Sequence, residues 1–301
     1  MLQIAESYNV KIYIDKNNFF SFTNSPYYAH KKLSAIDIYP PRGCREALSP
    51  IEGEISLIKT FKEDYAIIVK VNEEICVKIL HVRPKVKIGD KVYPGDFIGE
   101  IIWSPFYNFW TDYHAHIEVR PLKDPLRAKG GYELNISPLL SKMKINESFD
   151  NKTLFKVEEV NERYILLKNR NSQNFFSSPL SIKVFEGCLD GGFFHYGHGA
   201  LITLKNTINP LNSTELKKEN LTKLNFFDAV TDYVKKGYIH FTFEKKPILI
   251  NNEDYKGLSV YINDEFLKLI PIKLGKINKI EEGDEISLSL LPFSIKMNKK
   301  A

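Results

Sequence analysis

The chain has 301 residues, 43% hydrophobic and 26% charged, a globular composition long enough for two domains with separate cores. Its net charge of +5 is scattered as single lysines and short pairs, without the concentrated basic stripe of a nucleic-acid binder. A solvated lysine-rich surface and no nucleic-acid partner are expected. Cys44, Cys76 and Cys188 stand far apart with no CxxC pair, which argues against a disulfide framework or a cysteine zinc site. Each is expected to be a small buried apolar residue. No stretch approaches the roughly 18 to 20 apolar residues of a membrane span. The first fifteen residues lack a basic segment followed by an apolar run. A cytoplasmic protein is expected from the sequence as given, with export left open should a signal lie outside it.

Aromatic residues make up 13% of the chain and β-branched residues are common, a mixture that favours strands. In chain order, period-2 alternation predicts strands over 10–14, 66–71, 75–80 and 115–119. Turn signals separate them: Pro40-Pro41-Arg42-Gly43, Gly89-Asp90 and Pro94-Gly95-Asp96. Gly89 and Gly95 suit tight turns that need backbone freedom. The polar stretch 124–151 interrupts this pattern, with a short helix expected near 138–143. The expected domains are 1–145 and 146–301. In the second, strands are predicted over 157–160, 163–168, 200–204, 238–243 and 258–262, with a hairpin turning at Asn263-Asp264 and one helix over 213–234. The expected fold is mainly β throughout.

Four of the seven histidines fall in the first 116 residues: His30, His81, His114 and His116. In the run from Tyr113 to Arg120, Ala115, Ile117 and Val119 alternate with His114, His116, Glu118 and Arg120. On a strand the polar set shares one face, so two imidazoles about 7 Å apart can serve one site with different tasks. Taken alone, an HxH pair also fits two surface histidines on an edge strand. Asp37 is an isolated acid in an apolar strand, and a buried carboxylate there must be paired, capped or ligating. His81 closes the apolar run from Ile75 to Leu80.

The order of these parts carries a resemblance. An acid in Ile36-Asp37-Ile38, then Ser49-Pro50-Ile51-Glu52-Gly53, then Leu80-His81, then the segment from Val86 to Gly99, then His114-Ala115-His116-Ile117-Glu118-Val119-Arg120 resembles the core of the M23 (lysostaphin/LytM-like) metallopeptidases. The match covers about a third of the chain. It implies an open antiparallel β-sandwich (the duplicated hybrid motif) with a groove in the first domain, and a zinc-dependent hydrolase of peptide bonds. Residue by residue, it makes Asp37 and His116 zinc ligands. His81 and His114 become the catalytic pair that orients the attacking water and stabilises the developing oxyanion. The family's third ligand, a histidine four residues before the acid, falls on Leu33, and its glycine two before the acid falls on Ala35. His30 is the candidate replacement if 31–34 form a bulge or loop.

The implied substrate is a peptide or peptidoglycan-like chain, and the implied cofactor is Zn2+. An inactive relative kept as a binding or regulatory scaffold is the alternative, favoured by Leu33. A phosphoryl carrier of the same hybrid fold, with His81 as acceptor, ranks below both because it leaves Asp37 and the HAH pair unexplained. The aromatic segment 106–113 reads as packing or as a groove wall. The segment from Cys188 to Gly199 reads as a glycine-rich loop with incidental histidines, or as a second ligand site. The β-rich second domain is a candidate surface for a protein partner.

Overall fold

The computed structural model describes residues 1–143, 152–169, 181–182, 187–204, 230–250, 253–277, 279–290 and 293–298. The chain forms two compact units. One comprises Met1–Phe22 with Pro26–Ser141, the other Thr23–Ser25 with Lys142–Ala301. The second unit thus takes a three-residue piece from early in the chain. Long-range hydrogen bonds hold it there: Thr23 donates from its N–H to Asp190 Oδ2 at 3.2 Å and from Oγ1 to the Asp190 carbonyl at 2.7 Å.

The first unit is mainly β. Its elements are β1 (Leu2–Ser7), β2 (Val10–Ile14), β3 (Phe19–Ser21), α1 (Tyr28–Lys31), β4 (Ile36–Tyr39), β5 (Glu46–Leu48), β6 (Gly53–Phe61), β7 (Asp64–Lys70), β8 (Ile75–Leu80), β9 (Val82–Pro84), β10 (Lys91–Val92), β11 (Phe97–Ile101), β12 (Ala115–Pro121) and α2 (Ser137–Leu140). A seven-stranded antiparallel sheet runs in the order β10-β6-β7-β8-β12-β4-β3, beside a three-stranded sheet β5-β11-β9 and the β1-β2 hairpin. Gly89 and Gly95 take φ of 94° and 100°, the left-handed turns expected of them. The short helix expected near 138–143 is the single turn α2.

One reading of the HAH strand, two surface histidines on an edge strand, falls in this sheet. β12 lies between β8 and β4, so the HAH strand is central and the edge-strand reading fails. Both its faces are covered: Ala115, Ile117 and Val119 are buried, and so are His114, His116, Glu118 and Arg120. A central strand can bury a polar face only if that face is internally paired.

The second unit is also mainly β. Its strands are β13 (Lys152–Val160), β14 (Ile165–Asn169), β15 (Ser181–Ile182), β16 (Gly187–Phe193), β17 (His198–Thr203), β18 (Val230–Lys235), β19 (Tyr238–Thr242), β20 (Ile248–Ile250), β21 (Glu253–Val260), β22 (Phe266–Pro271), β23 (Glu285–Leu290) and β24 (Phe293–Asn298). They form one antiparallel sheet, β18-β19-β17-β16-β21-β22-β14-β13-β23-β24, with β15 paired to β16 and β20 to β21 off this path. Its core gathers Phe155, Leu167, Leu201, Phe241, Leu258 and Leu269, among others. The segment from Cys188 to Gly199 is a paired hairpin, β16-β17, rather than a loop. Asn263, at φ 63°, makes the turn between β21 and β22. Of the helix expected over 213–234, residues 213–229 lie outside the described residues, and Val230–Val234 belong to strand β18. Cys76 and Cys188 are buried, but Cys44 is only partly so, and all three are free thiols. Among the described residues, no helix is long and apolar enough to cross a membrane.

Candidate metal centre

Asp37 and His116 meet because β4 and β12 are neighbours in a register that makes them direct cross-strand partners. His116 Nδ1 lies 2.8 Å from Asp37 Oδ1. His30 arrives by a different route. The single turn α1 ends at Lys31, Leu33 takes φ 51°, and Ser34 bonds back to the Ala29 carbonyl through both N–H (2.9 Å) and Oγ (3.0 Å). That compact reversal over 31–34 feeds the chain into β4. It leaves Leu33 buried in the core and His30 facing Asp37. His30 Nε2 sits 3.3 Å from Asp37 Oδ1 and 3.1 Å from His116 Nδ1.

Two imidazole nitrogens and a carboxylate oxygen therefore converge within 4.8 Å of one another, the one such group with metal-ligand spacing among the described residues. Zinc–ligand bonds of about 2.0–2.1 Å at tetrahedral angles put donor atoms roughly 3.3 Å apart. Two of the three edges are near that separation, and the 2.8 Å His116–Asp37 edge would open by about half an ångström. The outward nitrogens are tied off. His30 Nδ1 donates to the Phe22 carbonyl at 2.8 Å, leaving Nε2 with its lone pair toward the cluster. His116 Nε2 donates to Glu118 Oε1 at 2.9 Å. Such outer hydrogen bonds fix the tautomer and ring orientation that ligation needs.

Glu118 is the hub of a buried ionic network. Its Oε1 also accepts Lys78 Nζ at 2.7 Å, and its Oε2 accepts Arg120 Nη1 at 2.6 Å. Burial would raise its carboxyl, but the hydrogen bond and charge of His116, with the Lys78 ammonium, outweigh that and hold it at about 2. Burial opposes charge on Asp37 too. At the acidic pH where Asp37 titrates, the charges of His114 and His30, with hydrogen bonds from His116 and His30, overcome it and set that carboxyl well below its ordinary range. His116, against burial, is raised to about 9 by its hydrogen bonds to Asp37 and Glu118. At neutral pH the proton on its Nδ1 thus occupies the space between the three donor atoms.

The other two sequence candidates line the same site. His114 Nε2 is 3.5 Å from Asp37 Oδ2, and its Nδ1 donates to the Asp112 carbonyl at 2.9 Å. Burial lowers His114 to about 4 despite the pull of Asp37, so it is neutral at pH 7. His81 sits at φ 69°, just past β8, with its ring centroid 5.3 Å from that of His114 and 6.2 Å from that of His116. Tyr107 packs against both rings, stacked on His114 at 4.7 Å and edge-on to His81 at 4.9 Å, and donates its hydroxyl to the His114 carbonyl. The aromatic segment 106–113 thus packs the site at Tyr107 and exposes Phe106.

Sequence reasoning missed Asp64 and Ser104, and reached Tyr107 only as part of the aromatic segment 106–113. Neither Asp64 nor Ser104 carries a local signal, because strand pairing and a 40-residue separation bring them to His81. The partnership of Glu118 with His116 was legible, since i and i+2 share a strand face.

Residues 10–136 match a family described as "Domain of unknown function (DUF8155) N-terminal domain". No curated protein and no solved structure matches the chain. The family description assigns no activity, and the match covers the part of the chain that holds the cluster.

Proposed function

We propose that the first unit is a zinc-dependent hydrolase of peptide bonds, with His30, Asp37 and His116 holding the metal and His81 and His114 beside it. The observation that carries this reading is the convergence of His30 Nε2, Asp37 Oδ1 and His116 Nδ1 from three separate segments, with the outer histidine nitrogens already engaged. Three protein ligands of this N/O type, with a fourth position left open, are the donor set of catalytic zinc. When bound, zinc supplies a Lewis acid for the scissile carbonyl and makes water nucleophilic near neutral pH.

The rest is the work of the chain. His114 and His81 each donate from Nδ1, to Asp112 and Asp64 respectively, and so present Nε2 as a proton acceptor. One imidazole can take the proton of the attacking water at Nε2 as the oxygen–carbon bond forms. It then delivers that proton to the amide nitrogen as the carbon–nitrogen bond breaks, giving a carboxylic acid and an amine. Tyr107 packs against both rings and restricts their rotation. The resemblance to M23 peptidases supports a peptide or peptidoglycan-like substrate, and the second unit is read as a module that engages substrate or a protein partner.

The test is the zinc content of protein purified without added metal or chelator, by elemental mass spectrometry, in wild type and His116→Ala. About one zinc per chain, lost in the variant, is expected, followed by turnover in a fluorogenic peptide library. No metal in the wild type, even after zinc is supplied, would sink the hydrolase and leave an inactive binding scaffold as the better account.

A further inference from the structure

His81 has a partner that the ligand set does not explain. Its Nδ1 lies 2.6 Å from Asp64 Oδ2, at the start of β7 and 17 residues earlier in the chain. Asp64 is itself held in place. The Tyr65 N–H donates to its Oδ1 at 2.7 Å, and Ser104 Oγ donates to its Oδ2 at 2.6 Å. Both Asp64 and Ser104 are buried. The backbone around His81 is fixed as well: its N–H donates to the Tyr65 carbonyl at 3.2 Å, and its carbonyl accepts from Ile102 at 2.9 Å. Both the donor and the acceptor of the His81 backbone are thus engaged. The two assisting histidines therefore differ in their backing. His114 leans on a backbone carbonyl, whereas His81 leans on a carboxylate.

We propose that Asp64 is a positioning residue for His81. It locks the Nδ1–H tautomer, keeps Nε2 as the accepting atom, and makes His81, rather than His114, the imidazole suited to carry a proton during hydrolysis. A buried carboxylate stabilises the imidazolium across a charge-assisted hydrogen bond, which a carbonyl does only weakly. The catalytic half of this statement rests on the zinc-hydrolase reading; the tautomer half does not.

Asp64→Asn separates the two. Because the Tyr65 N–H needs an acceptor, the amide oxygen keeps the Oδ1 position and the NH2 group takes the place of Oδ2. It would then donate to His81 Nδ1 and force the opposite tautomer, while Ser104 turns to accept. Long-range proton–nitrogen correlation spectra of the 15N-labelled full chain, with zinc supplied, read the tautomer directly. The expected result is Nδ1–H on His81 in the wild type, Nε2–H in Asp64→Asn, and an unchanged zinc content in both. Nε2–H in the wild type overturns the proposal even if the variant does not fold, as does an unaltered tautomer in a folded variant. Loss of zinc in Asp64→Asn also overturns it, by giving Asp64 a role in the metal site. If the wild type takes up no zinc but the tautomer inverts, the hydrolase reading fails while the positioning of His81 by Asp64 stands.

Discussion

His116 and Asp37 are cross-strand partners on β12 and β4, with Nδ1 2.8 Å from Oδ1 inside a triangle closed by His30 Nε2. A proton and a metal ion compete for the centre of that triangle. Because its hydrogen bonds to Asp37 and Glu118 outweigh burial, His116 holds its proton up to about pH 9, so the metal must displace it. Zinc affinity is expected to rise about tenfold per pH unit between pH 6 and 8, with roughly one proton released per zinc. Calorimetric titration in buffers of different ionisation enthalpy measures the release, and a heat independent of buffer would count against this arrangement.

His30 and His114 both lie within 3.5 Å of Asp37, yet they have different expected roles. His30→Ala removes a ligand and should weaken zinc binding by at least tenfold, since two remaining ligands make a poor site. His114→Ala should keep the zinc, because its ring is not one of the three ligands, and the acid–base loss of about 100-fold or more in turnover of a peptide substrate is expected of His81→Ala instead. Chelator competition on His30→Ala and His114→Ala distinguishes them. Equal affinities would remove His30 from the ligand set.

Glu118→Gln tests the network behind His116. It leaves Lys78 and Arg120 buried without their carboxylate, which should cost about 3–5 kcal/mol of stability. It also weakens the acceptor for His116 Nε2, which should lower zinc affinity roughly 10- to 100-fold. Denaturant unfolding of the zinc-free protein gives the first quantity and chelator competition the second. A variant unchanged in both would mean that the network is incidental.

His195, in the turn between β16 and β17, provides a pH test of the second unit. Burial, only partly opposed by its hydrogen bond to the Phe193 carbonyl, lowers its imidazole from 6.5 to about 3. Its folded value lies below the unfolded one, so the unfolded state takes up the proton first. The contribution is present above about pH 6.5 and is lost as the pH falls toward 3. Between pH 7 and 4.5 the second unit should lose roughly 2–3 kcal/mol from this residue. Denaturant unfolding at the two pH values should show that loss in the wild type, and a smaller one in His195→Gln.

Much of this protein was written in local pattern. Alternation of side chains identified strands β2, β7, β8 and β12, because a strand's two faces repeat every second residue whatever lies around it. The HAH spacing put His114, His116 and Glu118 on one face for the same reason, and Gly89 and Gly95 marked turns because only a residue without Cβ takes such φ values readily. Local pattern could not say that β12 is central, since a strand's place in a sheet depends on its neighbours.

The site required the tertiary structure. His30 joins Asp37 only because Leu33 adopts a left-handed backbone and Ser34 bonds back across the turn, a reversal with no glycine to announce it. Asp64 reaches His81 because β7 and β8 pair, and Ser104 reaches Asp64 from 40 residues away. The sequence by itself determined which side chains share a strand face, since backbone geometry settles that over two residues. Which faces meet, and hence which donors converge on one point, was decided by long-range strand pairing and by the burial that forces polar groups to find each other.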